Sequence, residues 1–291
     1  MKIIVTGARG QLGSDVFTEL KKRGHNAVGI DIKELDITDK NAVESFICSE
    51  NPEAVIHCAA WTAVDAAEEA GNQNKVYAVN YEGTKNIAES CKKNNCKMIY
   101  ISTDYVFDGT GETPCEADCK SFKPLGIYGD SKLKGELAVS KILEKFFIVR
   151  ISWAFGLNGN NFVKTMLNIG KKYDSLRVVN DQIGTPTYTK DLAVLLADMV
   201  ESEKYGFYHA SNEGGYISWY DFACEIFRQA GYKTEVIPVT TEEYGLSKAV
   251  RPKNSRLDKS KLSENGFRRL PDWQDALKRY LEELKNESDK G

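Results

Sequence analysis

The chain has 291 residues, with 39 Lys and Arg against 42 Asp and Glu, a formal net charge of −3. That balance excludes the concentrated positive face that nucleic acid requires. Hydrophobic residues make up 42% and charged residues 28%, the proportions of an ordinary globular enzyme large enough for one big domain or two lobes.

No run of roughly 18 apolar residues is present, so no membrane span is expected. The apolar stretch Ile3-Ile4-Val5 turns at once into Thr6-Gly7, too short for a secretory leader, and a cytoplasmic location is expected. Seven cysteines lack metal-ligand spacing, and none of the pairs Cys91/Cys96 and Cys115/Cys119 lies beside His25, His57 or His209. Free thiols and no metal site are therefore expected.

Five apolar runs read as strands buried on both faces: Lys2 to Thr6, Ala27 to Asp31, Ala54 to Cys58, Lys97 to Ser102 and Phe147 to Ile151. Between the first two, Leu12, Val16 and Leu20 recur every four residues, and Lys22-Arg23-Gly24 stops the helix they mark. Repeated strand–helix–strand order implies a Rossmann-like doubly wound parallel sheet with right-handed crossovers. The second half is less regular. Gly156 to Asn161 reads as loop, and Asp191 to Glu201, Ser218 to Ala230 and Pro271 to Lys285 read as helices. The pattern predicts a dinucleotide-binding domain over 1–150, with 185–212 returning to it. A smaller C-terminal α/β substrate lobe is expected from 151–184 and 213–291.

The first strand runs into Gly7-Ala8-Arg9-Gly10-Gln11-Leu12-Gly13. Glycines there allow a tight turn and close approach of backbone to a pyrophosphate, and the next helix presents free N–H groups to it. Asp31 follows about 20 residues on, where a carboxylate meets the adenosine ribose. Ala59 and Ala60 after the third strand would let a cofactor lie against backbone or would simply pack tightly. His57 reads as a hydrogen-bonded strand-end histidine rather than a catalyst.

Tyr128 and Lys132 stand four apart, one face of a helix. A free tyrosine titrates near ~10, and an adjacent ammonium is expected to lower that value and make Tyr128 a competent acid. Ser102, Thr103 and Asp104 close the fourth strand, where open α/β sheets bind ligands; a hydroxyl there orients a substrate oxygen or only closes a turn.

These features together resemble the extended short-chain dehydrogenase/reductase superfamily. Within it, the full length is similar to the dTDP-4-dehydrorhamnose reductase family. The likeness is carried by GQLG at Gly10 to Gly13, LDITD at Leu35 to Asp39 and AAWTAVDAAE at Ala59 to Glu68. It continues in ISTDYVFDG at Ile101 to Gly109, YGDSKLKGE at Tyr128 to Glu136 and RISWAFG at Arg150 to Gly156. DQIGTPTYT at Asp181 to Thr189 and RPKNSRLD at Arg251 to Asp258 complete it.

The resemblance implies reduction of the 4-keto group of a nucleotide-linked sugar, dTDP-4-dehydro-L-rhamnose, by hydride from a nicotinamide; the Asp31 carboxylate favours NADH, with NADPH not excluded. It implies Tyr128 as proton donor, Lys132 as ribose and phenolate partner, and Thr103 as orienting hydroxyl. Sugar contacts carry over to Thr103, Asp104 and Trp153, although a Trp after a strand also suits a core. Cofactor contacts carry over to Gly7, Gly10, Gln11, Leu12, Gly13, Asp31, Asp36, Ile37, Ala59, Ala60, Trp61, Tyr128 and Lys132. The family often has His where this chain has Trp61. Asp15 and Asp191 fall near positions that bind magnesium at a dimer interface in some members; no metal is expected here, and a homodimer stays open. Rival readings are another nucleotide-sugar reductase or epimerase, and a non-catalytic dinucleotide-binding regulatory subunit.

Overall fold

A computed structural model describes residues 1–288; the last three positions of the expected 213–291 segment lie outside the described residues. The first half alternates β1 (Lys2–Thr6), α1 (Gln11–Lys22), β2 (Asn26–Ile30), α2 (Lys40–Glu50) and β3 (Ala54–His57). It continues through α3 (Val64–Ala67), α4 (Gln73–Tyr77), a wide π-helical turn at Ala78–Gly83, α5 (Thr84–Lys93), β4 (Lys97–Thr103), α6 (Ile127–Ile142) and β5 (Phe146–Ile151). The second half holds β6 (Ala154–Phe155), α7 (Phe162–Gly170), β7 (Ser175–Val179), β8 (Ile183–Gly184), β9 (Thr187–Tyr188), α8 (Thr189–Val200) and β10 (Gly206–His209). It closes with β11 (Asn212–Glu213), β12 (Ile217–Ser218), α9 (Trp219–Ala230), β13 (Glu235–Val239), α10 (Thr241–Tyr244), α11 (Ser260–Glu264), β14 (Leu270–Asp272) and α12 (Trp273–Ser288).

Six strands form one sheet in the order β10-β5-β4-β3-β1-β2, every pair parallel. From β1 the chain first moves outward to β2, then crosses back to β3 and onward. That reversal opens a crevice above the C-terminal ends of β1 and β3, the place where open α/β sheets take ligands. Ile3, Ile4 and Val5 are wholly buried because helices cover both faces. One face packs Val16 and Leu20 of α1 with Leu192, Leu196 and Met199 of α8. The other packs Val43 and Ile47 of α2 with Ile87 of α5 and Val139 of α6. A separate aromatic core, with Phe155, Phe222, Trp273 and Tyr280, holds the second half together.

Most expected boundaries shift by one to three residues, and three of the shifts matter most. β2 ends at Ile30, leaving Asp31 just beyond it. Ser218 is the cap of α9 rather than its first helical residue: its hydroxyl accepts the Asp221 N–H at 3.0 Å while the Asp221 carboxylate accepts from Ser218 N at 2.8 Å. Pro271 and Asp272 are strand, since β14 pairs in parallel with β11 before α12 begins. The expected strand-end histidine is one: His57 lies within 2.7 Å of Thr6 Oγ1 and 3.1 Å of Thr84 Oγ1, and burial lowers its pKa to about 3.

Candidate active site

The glycine turn is built by contact. Gly7 has φ +64°, and a Cβ there would lie 2.8 Å from Ala59 N. A Cβ on Gly13 would lie 2.1 Å from Gly7 O, so α1 reaches the turn only because position 13 has no side chain. Gly10 N donates to Gly7 O at 2.9 Å, and Gly10 meets nothing else within contact on its open side. Gln11 and Leu12 begin α1 beside it, and Gln11 Oε1 accepts from Asn161 Nδ2 at 3.0 Å, tying the turn to the loop after β6.

Asp31 accepts hydrogen bonds from Arg9 N at 3.2 Å and Ile32 N at 2.8 Å. The Arg9 guanidinium pairs with Glu34, whose other oxygen accepts from Asp31 N at 3.0 Å. Asp36 caps its own turn by accepting from Thr38 N at 2.9 Å, and Ile37 is buried under Gly83. Ala59 and Ala60 are half-buried after β3. Trp61 is half-buried too, its N–H donating to Asn80 Oδ1 at 2.8 Å and its indole N–H to Ala63 O at 3.1 Å.

Tyr128 and Lys132 lie one turn apart at the start of α6, whose first N–H, from Ile127, donates to Glu68 Oε1 at 2.8 Å. Lys132 is buried; its ammonium donates to Ile101 O at 2.7 Å and lies 4.2 Å from the centre of the Tyr100 ring. Burial pulls its pKa down to about 7, against the opposing influence of Glu136 and Cys58. Tyr128 departs from the sequence expectation. Burial pushes its pKa up, and the Thr103 hydroxyl offsets this only in part. Desolvation of the phenolate outweighs any help from Lys132, because the ammonium is turned to the Ile101 carbonyl. Thr103 donates to Asp104 Oδ1 at 3.0 Å, and burial raises the Asp104 carboxyl to about 6. Ser102 Oγ and Asp104 Oδ2 are buried with no hydrogen-bond partner among the described residues.

Trp153 follows β5 with φ +49°, a left-handed conformation that costs a non-glycine residue on the order of 1–3 kcal/mol. Its indole is half-buried, packed at the margin of the aromatic core, and it stacks on Trp219 with ring centres 3.7 Å apart. All of the expected cofactor and sugar contacts, Gly7 to Gly13 at one end and Trp153 at the other, line one cleft of about 740 Å³. Asp15 and Asp191 lie apart from it. Asp15 accepts from Thr189 Oγ1 at 2.6 Å, while Asp191 takes both Nη atoms of Arg279 at 2.8 Å.

Other residues of this region were not singled out from sequence. Trp219 lines the cleft and begins α9; in sequence it was only an apolar position inside the helix expected from Ser218 to Ala230. Asn80 is wholly buried and joins the Trp61 turn to Ser131, between the expected tyrosine and lysine, at 3.0 Å. Arg251 Nη1 donates to Tyr105 Oη at 3.1 Å and Nη2 to Asp65 Oδ2 at 2.6 Å, and the Tyr105 ring meets Tyr128 edge-on at 5.5 Å. The AAWTAVDAAE, ISTDYVFDG and RPKNSRLD segments hold Trp61 and Asp65, Tyr105, and Arg251, but nothing in single-residue pattern joins them.

Fold and cleft define an NAD(P)H-dependent oxidoreductase of the Rossmann kind. The family model described as RmlD substrate binding domain matches residues 1–286. The chain belongs to the dTDP-4-dehydrorhamnose reductase family, whose members are NAD(P)H-dependent dTDP-sugar reductases. It is 41% identical to a dTDP-4-dehydrorhamnose reductase of Aggregatibacter actinomycetemcomitans, covering 95% of this chain and 97% of that one. The crystal structure of a dTDP-4-dehydrorhamnose reductase from Clostridium acetobutylicum superposes with a TM-score of 0.94 at 42% identity, covering 98% of this chain and all of that one. The Bacillus anthracis dTDP-4-dehydrorhamnose reductase in complex with NADP gives 0.92 at 42% identity, covering 97% and 99%.

Proposed function

We propose that the protein reduces the 4-keto group of dTDP-4-dehydro-L-rhamnose to dTDP-L-rhamnose, using NADH by preference and accepting NADPH. One observation carries the reading: the glycine turn, the Thr103, Tyr128 and Lys132 group, and Trp153 converge on a single cleft. The reading assigns dinucleotide binding to residues 1–150 with 185–212, and the sugar nucleotide to the remainder.

The residues fit a dinucleotide. Gly10 leaves its side of the turn open to a pyrophosphate at the start of α1, the buried Lys132 ammonium supplies a cation, and Ser102 Oγ is a buried polar atom in need of a partner. The reduced nicotinamide, when bound, supplies the hydride. Tyr128 holds its proton at neutral pH because burial raises its pKa. It donates that proton to the C4 oxygen as negative charge gathers there. Lys132 holds ribose hydroxyls, and reaches the phenolate left behind only by turning its ammonium away from the Ile101 carbonyl. Thr103 orients the keto oxygen by turning its hydroxyl proton from Asp104 Oδ1 to that oxygen. Asp31 accepts hydrogen bonds from the adenosine ribose and repels a 2′-phosphate, while Arg9 is neutralised by Glu34. The NADP-bound relative supports acceptance of NADPH.

The test is reduced-nicotinamide absorbance with and without the dTDP-linked 4-keto sugar, for both cofactors. Oxidation that depends on this sugar supports the reading. Absence of oxidation overturns it, and sugar isomerisation without net cofactor consumption favours the epimerase alternative.

A further inference from the structure

Trp153 holds its left-handed backbone because the chain on either side is fastened. Ser152 Oγ donates to Thr185 O at 2.7 Å, Thr187 Oγ1 donates to Ser152 O at 2.6 Å, and Thr187 N donates to Trp153 O at 3.2 Å. The side chain is held just as closely. A Cβ on Gly184 would lie 2.9 Å from Cε2 of the Trp153 indole. Trp219 stacks on that indole at an interplanar angle of 17°. Behind Trp219, Phe162 lies with ring centres 4.6 Å apart, and Phe162 stacks in turn on Phe222 at 5.7 Å in the aromatic core. The rings thus run from the cleft to the core of the second half, and the capping box of α9 fixes the first residue of that helix, Trp219.

Trp219 also stands between two cavities. It lines the main cleft and a second cavity of about 370 Å³ on its far side. Backbone strain of this kind persists only where surrounding structure over-determines it, and it concentrates at ligand sites.

We infer that Trp219 is a positioning residue for the sugar nucleotide: it fixes the strained Trp153 indole as the rigid sugar-facing wall of the cleft, with Gly184 leaving the space that the indole fills. The inference rests on the proposed reaction. The ring partners of Trp219 are Trp153, Phe162 and Phe222, so its effect falls on the sugar nucleotide and spares the dinucleotide.

The experiment compares wild type, Trp219→Ala, Trp219→Phe and Gly184→Ala. It measures turnover of the 4-keto sugar nucleotide, NADH affinity, dTDP-L-rhamnose binding by tryptophan fluorescence, near-ultraviolet circular dichroism and the thermal midpoint. Trp219→Ala is expected to raise KM and weaken dTDP-L-rhamnose binding roughly three- to tenfold, the span that one stacked aromatic pair supports. NADH affinity and kcat are expected to stay within about twofold, the pattern of lost uniform binding. Trp219→Phe, which retains a ring to stack, is expected to recover most of the KM. Gly184→Ala crowds the indole at Cε2 and Cζ2 and is expected to raise KM in the same manner. The coupled signal of two stacked indoles is expected to vanish in both Trp219 variants. The inference is overturned if Trp219→Ala binds the sugar nucleotide as wild type does. It is overturned equally if sugar affinity, NADH affinity and thermal midpoint fall together without recovery in Trp219→Phe. A wild type that binds dTDP-L-rhamnose without turning over the keto sugar sinks the proposed reaction instead, and the binding comparison still decides the role of Trp219.

Discussion

Glu136→Gln is expected to remove about 3–5 kcal/mol of folding stability, the usual cost of breaking a buried ion pair from one side. Glu136 and Arg150 are each 1% exposed. The carboxylate accepts from Nε at 2.9 Å and Nη2 at 2.7 Å, a two-point contact between α6 and β5. The rest of the guanidinium donates to Ala117 O at 3.0 Å, lies 3.2 Å from His209 Nε2, and is 5.0–5.2 Å from the centres of Phe107, Phe122 and Phe207. None of those neighbours carries negative charge, and burial holds His209 far below the usual imidazole range. Gln offers one acceptor and turns an NH₂ donor toward another donor, so the cation is left in apolar surroundings. A domain is stable by only about 5–15 kcal/mol, so the loss is a large share of the total. Urea unfolding followed by tryptophan fluorescence, extrapolated linearly, measures it. A loss below about 1 kcal/mol, the range of an exposed pair, refutes the reasoning. Replacing both residues by Met is expected to cost less than the two single changes added together, because no charge is then stranded.

Tyr128→Phe is expected to lower turnover on the order of 10²–10⁴-fold while equilibrium NADH titration stays unchanged; near wild-type turnover would remove Tyr128 from the proton step. Lys132 has its folded pKa pulled to about 7 by burial, below its ordinary 10.5. The penalty for its charge is therefore complete below the folded value and disappears above the unfolded one. Lys132→Met is expected to raise stability near about pH 6 by more than near about pH 10, read by urea unfolding at each pH; an equal gain at both refutes the burial account. Asp31→Ala is expected to shift preference toward NADPH, since two like charges at ~4 Å in an effective dielectric near 20 repel by roughly 4 kcal/mol. The ratio of the two specificity constants checks it, and an unchanged ratio shows that Asp31 does not face the ribose.

The main sheet was legible because strands buried on both faces are apolar throughout, and five of its six strands read so. Its sixth strand, Gly206–His209, was hidden because it has only four residues, although it lies within the segment 185–212 expected to return to the dinucleotide-binding domain. The two-residue ladders around β6, β8, β9, β11 and β12 are too short for alternation to register. The glycine turn and the Tyr128/Lys132 spacing were plain because backbone approach and helix geometry restrict residue type directly. The electrostatics were not. Whether an ammonium helps its neighbouring phenol depends on where the side chain turns, and Lys132 turns to the Ile101 carbonyl. The aromatic run from Trp153 through Trp219 to Phe162 joins three separate stretches, so no local periodicity reveals it.

The placement of α8 and β10 bears on how the chain is made. Leu12, Val16 and Leu20 of α1 find their partners among Leu192, Leu196 and Met199, and β5 gains its outer neighbour only at Gly206–His209. On a ribosome adding roughly 5–20 residues per second, the first helix therefore waits on the order of ten seconds or more for its cover. During synthesis the nascent glycine turn is tethered to an unfinished hydrophobic face. A premature stop before residue 189 leaves both an uncapped sheet edge and a bare apolar helix, the features chaperones and proteases recognise.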